Sequence, residues 1–264
     1  MAGSPNTASR VAGIDRQEMG RPLPSNPVKA MGIEFPNALG LSAGFDRTGA
    51  LVPVLAGVGF GHVEVGTVTV PTAAAAIVEP ARSGPRIGVN IGSARLGLDA
   101  HVIADYCARY RDVASSADYV VANLSSPYAD RDGNSRQVDL LIRRLTEVRD
   151  ALFRNCGFYV PLLVKVEGGV RGSPLPTAIS LAKSCGLDGV VLVSSCTRRI
   201  AAVCEYLDGL ALISVSGIAT LEDAEARIAA GAALVQIYTA FVRGGPQSVR
   251  AILGSDCGAG CSGQ

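Results

Sequence analysis

The residues of this sequence with the clearest chemical potential stand at the ends of short apolar runs. Lys165 ends the run Pro161–Val164 and is one of only three lysines in a chain whose other cations are arginines. A charge in such a place must be paired or functional, because an isolated ammonium is costly to bury. A compact ammonium suits a localised negative charge on a ligand, or a Schiff base. We therefore predict that Lys165 is catalytic; the structural alternative is a lysine that reaches out to solvent.

Two further apolar runs end in residues suited to a phosphate. One is followed by Ser216 and Gly217 and then by a predicted helix, and the other by Tyr238 and Thr239. Backbone N–H groups in loops and at helix N-termini bind phosphate, Gly217 allows close approach of the backbone, and Thr239 adds a hydroxyl. The pattern predicts a phosphate-bearing ligand, and two ordinary turns are the alternative.

Ser126 is a third candidate, in the segment Asn123–Pro127. Proline restricts the residue before it to extended geometry, which holds the Ser126 hydroxyl in a fixed direction. Neither histidine is placed to activate it, since His62 opens a predicted strand and His101 falls within an amphipathic helix. A hydrolase with a Ser-His-Asp triad is therefore disfavoured.

The composition excludes several classes of protein. The chain has 264 residues, 48% hydrophobic and 18% charged, which favours one large domain over a disordered chain. A net charge of +1 without a basic run gives no support for nucleic-acid binding, and no apolar stretch is long enough to predict a membrane segment. Seven scattered cysteines indicate reduced thiols in the cytoplasm, and Cys257 and Cys261 lack a partner histidine, so we expect no metal. Asp46 and Glu64 could interact, but they do not form the acid pair of a glycosidase.

Short apolar runs alternate with amphipathic stretches between residues 29 and 254. The predicted strands are Ala38–Gly44, His62–Gly66, Arg86–Ile91, Tyr119–Leu124, Pro161–Val166, Gly189–Val193, Ala211–Val215 and Ala233–Ile237. The predicted helices are Gly49–Ala56, Ala94–Arg111, Gln137–Asn155, Pro174–Cys185, Arg199–Leu207, Leu221–Ala230 and Gln247–Leu253. Eight such units in about 250 residues predict an α/β protein with a closed (β/α)8 TIM barrel. A doubly wound sheet is the alternative, but its Gly-rich fingerprint is missing. Residues 1–28 are predicted to be a flexible arm and residues 255–264 a flexible tail.

The segments at the predicted strand ends, taken in order, resemble the flavin-dependent dihydroorotate dehydrogenases. They are Gly40–Gly49 (GLSAGFDRTG), where the family usually has Lys at Arg47, His62–Thr69 (HVEVGTVT), Gly88–Gly92 (GVNIG), Asn123–Pro127 (NLSSP), Leu163–Val166 (LVKV) and Ile213–Pro246. The resemblance covers about residues 30–250 and implies a TIM barrel that holds FMN, a small-molecule substrate, and a place in pyrimidine biosynthesis in the cytoplasm. It leaves a homodimer open.

The resemblance also implies a role for each residue. Ser126 would be the base that takes a proton from the substrate while a neighbouring carbon gives a hydride to flavin N5, and Lys165 would sit near the flavin N1/O2 edge. The implied FMN-binding residues are Ala43, Gly44, Thr67, Asn90, Asn123, Lys165, Ser194, Ser216, Gly217, Tyr238 and Thr239. The implied substrate-binding residues are Arg47, Asn123, Tyr128, Ser194 and Ser195. Serine rather than cysteine at position 126 matches the quinone-using branch of the family, although we expect no N-terminal membrane segment here.

The sequence departs from the family at its contacts to orotate. The family's Asn-rich loop after the second strand has no counterpart in Val70–Pro85, Tyr128 replaces an Asn, and Val193–Cys196 (VSSC) replaces a Thr-Asn-Thr-Thr motif. Three of four amide contacts are therefore lost and Asn123 remains, which should cost several kcal/mol of orotate recognition. Two other functions stay open: a non-redox lyase or isomerase that uses Lys165 on a phosphorylated ligand, and a catalytically degenerate binding subunit.

Overall fold

The protein is described by a computed structural model that covers residues 26–70, 84–125, 135–169 and 172–254. Residues 1–25 of the predicted arm and the whole predicted tail lie outside these ranges. A two-stranded antiparallel hairpin, β1 (Val28–Ala30) and β2 (Ile33–Phe35), precedes the main sheet. The end of the predicted arm therefore belongs to a strand.

Eight parallel strands close into a barrel. They are β3 (Leu39–Asp46), β4 (His62–Val68), β5 (Arg86–Ile91), β6 (Tyr119–Asn123), β7 (Leu162–Glu167), β8 (Gly189–Val193), β9 (Ala211–Val215) and β10 (Leu234–Ile237). Each strand pairs with its neighbours along the chain, and β10 closes the ring by pairing with β3 through Val235 and Leu39. The predicted TIM barrel is confirmed, and three of its strands, β5, β8 and β9, have the predicted bounds.

Helices connect the strands. They are α1 (Val52–Leu55), α2 (Ala100–Val113), α3 (Ser135–Cys156), α4 (Thr177–Ser184), α5 (Thr197–Leu207), α6 (Leu221–Ala229) and α7 (Thr239–Ile252). Helix α2 begins six residues later than predicted, because the Asp99 carboxylate caps its first turn by accepting hydrogen bonds from the N–H groups of His101 and Val102. Helix α7 begins earlier than predicted, at the end of β10, and bends at Gly245, before Pro246.

The apolar face of α3 differs in part from the predicted stripe. Leu141, Leu145 and Val148 are buried as expected, but Leu140 and Phe153 are 40% and 46% exposed. Leu140 and Ile142 lie about 100° to either side of Leu141, and the buried face turns toward Ile142, so Leu140 falls outside it. The barrel-facing stripe instead includes Ile142.

The hairpin closes the amino-terminal end of the barrel. Phe35 is fully buried and packs edge-on against the rings of His62 and Tyr119, with centroids 5.7 and 6.2 Å away. The His62 ring lies against Gly40 and the Tyr119 ring against Gly88, in the space that a Cβ atom would need at either glycine. With this end filled by rings, the carboxyl end of the barrel is left for the site.

Candidate active site

A cavity of about 420 Å³ lies at the carboxyl end of the strands. Six of the predicted site residues line it together: Ala43, Gly44, Arg47, Thr67, Asn123 and Lys165. The residues come from four different strand ends, so only closure of the barrel brings them together. The cavity is large enough for a planar ring system, since ligand pockets begin at about 300 Å³.

Lys165 is placed as an isolated cation on the wall of this cavity. The residue is 8% exposed, and its strand neighbour in register is Asn123. Among the described residues, no carboxylate lies within 4.0 Å of its Nζ and no hydrogen bond engages it. Because an unpaired buried ammonium is costly, its position is best explained by a negatively charged ligand.

Polar side chains beneath the cavity are hydrogen-bonded in series. The Thr67 hydroxyl donates to Asn90 Oδ1 (2.9 Å), and Asn123 Nδ2 donates to the Thr67 hydroxyl (3.0 Å). Asn90 is fully buried, so it supports the cavity wall from below. The loop after β6 is fastened to the same series, because the backbone N–H and hydroxyl of Ser125 both donate to Asn123 Oδ1.

Asp46 and Glu64 have separate partners. The Asp46 carboxylate accepts hydrogen bonds from the backbone N–H groups of Thr48, Gly49 and Leu51, and it fixes the turn that carries Arg47. Glu64 points into the barrel, where it accepts a 2.6 Å hydrogen bond from Gln236. In place of the suggested interaction between the two acids, Asp46 stabilises a turn and Glu64 makes hydrogen bonds inside the barrel.

The residues predicted to hold a phosphate form a second group, at the ends of β9 and β10, and the loop after β8 is joined to it. The buried Arg227 guanidinium ties two of these loops together by donating to the carbonyls of Ser195 (2.5 Å) and Gly217 (3.4 Å). Gly217 has φ of +68°, and a Cβ there would lie 3.0 Å from that of Ser195. Ser216 also has positive φ, at +93°. This backbone geometry leaves little room for a side chain at Gly217.

The two groups of residues meet at Gly44. This glycine lines the cavity with φ of +103°, and a Cβ there would lie 3.6 Å from the Tyr238 ring. Tyr238 is 42% exposed, and Thr239 follows it as the first residue of α7. The Ser194 hydroxyl, directly after β8, accepts a hydrogen bond from the Cys196 N–H in the same turn. The cavity and the turns after β9 and β10 are thus neighbours at the same end of the barrel.

Some of the cavity wall was not predicted from the sequence. Tyr106 on α2 lines it and donates from its hydroxyl to the Asn123 carbonyl at 2.6 Å, and burial raises the pKa of this phenol. Ser93 and Arg95 line the side between β5 and α2, where both contact the Asp105 carboxylate. Because Tyr106 fits the apolar stripe of a helix, nothing in the sequence marks it as a site residue.

Two predicted residues, Ser126 and Tyr128, lie outside the described residues. Their proposed roles as base and as substrate contact stay predictions. Cys257 and Cys261 lie outside as well. Within the described ranges, no three His, Cys, Asp or Glu side chains are grouped as a metal site would require, and no helix has the length and apolarity to cross a membrane.

Comparison with known proteins identifies the family. The family model described as dihydroorotate dehydrogenase matches residues 175–255. The dihydroorotate dehydrogenase (quinone) of Clavibacter michiganensis subsp. michiganensis is 34% identical over 295 aligned residues, covering 88% of this chain and 84% of its own length. That of Nocardioides sp. is 32% identical and covers 88% and 86%. The chain belongs to the dihydroorotate dehydrogenase family.

The solved structures support the same fold. Dihydroorotate dehydrogenase from Eimeria tenella, without ligand, superposes with a TM-score of 0.77 at 20% identity, over 94% of this chain and 92% of that one. Family membership confirms the predicted resemblance, and the family consists of FMN-dependent dehydrogenases that act on CH–CH bonds. The alignment with the Clavibacter relative is longer than the whole of this 264-residue chain, so that relative carries segments with no counterpart here.

The described residues fit FMN. An isolated ammonium lies on the wall of a cavity large enough for a ring. At the same end of the barrel, the Gly217 backbone carries no side chain, and a Cβ there would lie 3.0 Å from that of Ser195. The first turn of α7 starts there without a side-chain cap. Lys165, Thr67 and Asn123 would hold the ring, and the backbone at Gly217 and Thr239 would hold the phosphate.

Proposed function

We propose that this chain is an FMN-dependent dehydrogenase that oxidises a CH–CH bond in a small, ring-shaped, anionic substrate of the dihydroorotate type. The observation that carries the proposal is the buried Lys165 ammonium, which faces the cavity without a partner among the described residues. Family membership supports the reaction class. The lyase and isomerase alternatives have no such support, because no observation on Lys165 favours a Schiff base over a flavin.

The chemistry that FMN supplies when bound is acceptance of a hydride from a substrate carbon. Lys165 would stabilise the negative charge that develops on the ring, because an ammonium already fixed beside the ring needs no reorganisation. Thr67 and Asn123 would orient the ring through the hydrogen bonds that already fix their own side chains. The backbone at Gly217 would hold the phosphate away from the reacting end.

We propose Ser126 as the group that takes the substrate proton. A serine is a weak base, so the proton must pass on to water or to a neighbouring hydroxyl. Ser125 supports this placement, since both its N–H and hydroxyl are held by Asn123, which lines the cavity. Ser126 thus directly follows an anchored residue in the sequence.

The charges of the cavity indicate an anionic substrate. Arg47, Arg95 and Lys165 line it, and none of the described residues that line it is Asp or Glu. The relatives are named for dihydroorotate, which is such an anion, but three of the family's amide contacts are missing from this sequence. We therefore propose that dihydroorotate binds weakly and that related cyclic acids compete with it.

The test is a cofactor and reduction experiment. Purified protein is loaded with FMN, and the visible absorption of the flavin is followed without oxygen while dihydroorotate is added. Binding of one FMN per chain with bleaching supports the proposal. If FMN binds and is bleached by a related cyclic acid but not by dihydroorotate, the proposed substrate is wrong and the rest of the proposal stands. Failure to bind FMN refutes the proposal and favours a binding subunit.

Location and assembly are proposals of the same kind. Five cysteines among the described residues are free, Cys107, Cys156, Cys185, Cys196 and Cys204, which supports a reducing compartment such as the cytoplasm. A place in pyrimidine biosynthesis follows if dihydroorotate is the substrate. A homodimer stays a prediction, to be checked by light scattering.

A further inference from the structure

The interior of the barrel contains a carboxylate that the proposed mechanism does not use. Glu64 is fully buried, as are its two partners, Gln236 and Asn90. Its Oε1 accepts from Gln236 Nε2 at 2.6 Å, and its Oε2 accepts from Asn90 Nδ2 at a longer 3.5 Å. Among the described residues it makes no ion pair. A buried carboxylate without a cation is costly, so it needs a reason beyond packing.

Glu64 is the end of a continuous series of hydrogen bonds that reaches the cavity. Asn90 receives a hydrogen bond from the Thr67 hydroxyl, which in turn receives one from Asn123 Nδ2. Asn123 Oδ1 receives two, from the N–H and the hydroxyl of Ser125. Thr67 and Asn123 both line the cavity.

The direction of every hydrogen bond in this series follows from its two ends. A carboxylate only accepts, so Asn90 must turn its NH2 group toward Glu64 and its oxygen toward Thr67. The Thr67 hydroxyl then donates to Asn90 and accepts from Asn123. At the other end, the Ser125 backbone N–H only donates, so the Asn123 oxygen must face it. With its oxygen occupied, Asn123 offers the cavity its second N–H hydrogen.

We infer that Glu64 is a positioning residue that, through Asn90, keeps the Thr67 hydroxyl hydrogen within the series, so that Asn123 is the hydrogen-bond donor that the ligand meets. The inference rests on the proposed function, because it assumes that the cavity takes FMN and its substrate. The group of the ligand that meets Asn123 must then be an acceptor, such as a ring carbonyl. Glu64 acts through Asn90 and Thr67 and touches no ligand itself.

An amide at position 64 breaks this arrangement without changing its shape. If its oxygen keeps the short hydrogen bond to Gln236, its NH2 group meets the NH2 group of Asn90. Asn90 must then reverse and donate to the Thr67 hydroxyl, which would accept from both Asn90 and Asn123 and turn its own hydrogen out of the series. If Gln236 reverses instead, its NH2 group loses the carboxylate that accepts from it. Either rearrangement removes a hydrogen bond of the wild-type series, and we expect it to weaken FMN binding.

The experiment compares three variants with the wild type. Glu64→Gln removes the acceptor. The double variant Glu64→Gln/Gln236→Glu places the carboxylate on β10, where the amide at position 64 donates to it and still accepts from Asn90. Glu34→Gln removes the same charge from an exposed hairpin position and is the matched control. FMN dissociation constants and thermal unfolding are measured for all four proteins.

We expect Glu64→Gln to weaken FMN binding about tenfold, the double variant to return to within about threefold of wild type, and Glu34→Gln to bind as wild type does. The inference is overturned if Glu64→Gln binds FMN within twofold of wild type, or if the double variant binds FMN as weakly as the single variant. If wild type itself does not bind FMN, the proposed function fails instead.

Side-chain amide NMR of the wild-type apo-protein gives an answer even if a variant does not fold. One Asn123 amide hydrogen should exchange slowly with solvent, because it is bonded to Thr67. The other should exchange quickly and become protected when FMN is added. Two equally exposed or two equally protected hydrogens in the apo-protein contradict the predicted direction.

Discussion

Replacing Lys165 by methionine should separate folding from binding. The side chain keeps its length and loses its charge, in a place that is 8% exposed and has no acidic partner among the described residues. Relief of an unpaired, largely buried ammonium should raise the free energy of unfolding of the apo-protein by about 1–3 kcal/mol. For a domain of this size, each kcal/mol raises Tm by roughly 2–4 °C.

The same substitution should weaken FMN binding. A hydrogen bond to a charged group contributes about 1.5–3 kcal/mol, so the dissociation constant should rise roughly 10- to 150-fold. Urea unfolding of the apo-protein and fluorescence titration with FMN measure the two effects separately. A gain in stability together with a loss of FMN affinity is what we expect of a residue that serves ligand binding at the expense of stability.

Lys183→Met is the matched control. That lysine is exposed and pairs with Asp208 at 2.7 Å, so its loss should change stability by less than about 1 kcal/mol and leave FMN binding unchanged. If Lys165→Met destabilises the apo-protein by more than about 1 kcal/mol, Lys165 has a structural partner and the reasoning is refuted.

Three further substitutions test the scaffold. Arg227→Met removes the hydrogen bonds to the Ser195 and Gly217 carbonyls and should lower stability by about 1–3 kcal/mol and weaken FMN binding, measured by urea unfolding and titration. Gly40→Ala places a methyl group on the His62 ring and should cost about 1–3 kcal/mol, and most of this penalty should vanish in a His62→Ala background. Burial lowers the pKa of His62 from 6.5 to about 3, so the unfolded chain binds a proton that the folded barrel does not. Stability should therefore fall as pH drops from about 6.5 toward 3, by up to roughly 1.4 kcal/mol per pH unit, and His62→Leu should reduce that slope in urea unfolding at several pH values.

Each of these has a result that would contradict it. Arg243→Met, at an exposed position on α7, should match wild type in both assays; an equal loss there would show that charge alone matters at Arg227. Equal penalties for Gly40→Ala with and without His62 would place the clash elsewhere. If the decrease of stability with falling pH is the same in His62→Leu as in wild type, groups other than His62 cause it.

The barrel could be predicted from the sequence because its strands carry a strong local signal. Runs such as Gly189–Val193 are apolar throughout, as strands buried on both faces must be, and their bounds were predicted correctly. The hairpin Val28–Phe35 was missed, because two strands of three residues each are too short to show a period.

The site could be predicted in part. Lys165 stands out because a charge ends an apolar run, and the barrel puts it in the cavity as expected. Glu64 and Gln236 are 172 residues apart, and each looks like an ordinary polar residue in its own strand. Only closure of the ring between β10 and β3 brings them together, so no local pattern could reveal their hydrogen bond.

The account depends on one cofactor bound by Lys165 at one end and by the turns after β9 and β10 at the other. A crystal structure of the FMN-loaded protein tests this most directly. We expect the ring within hydrogen-bond distance of Lys165 Nζ and the phosphate against the backbone N–H groups at Gly217 and Thr239. FMN bound elsewhere on the protein, or a Lys165 ammonium paired with a protein carboxylate in that structure, would contradict it.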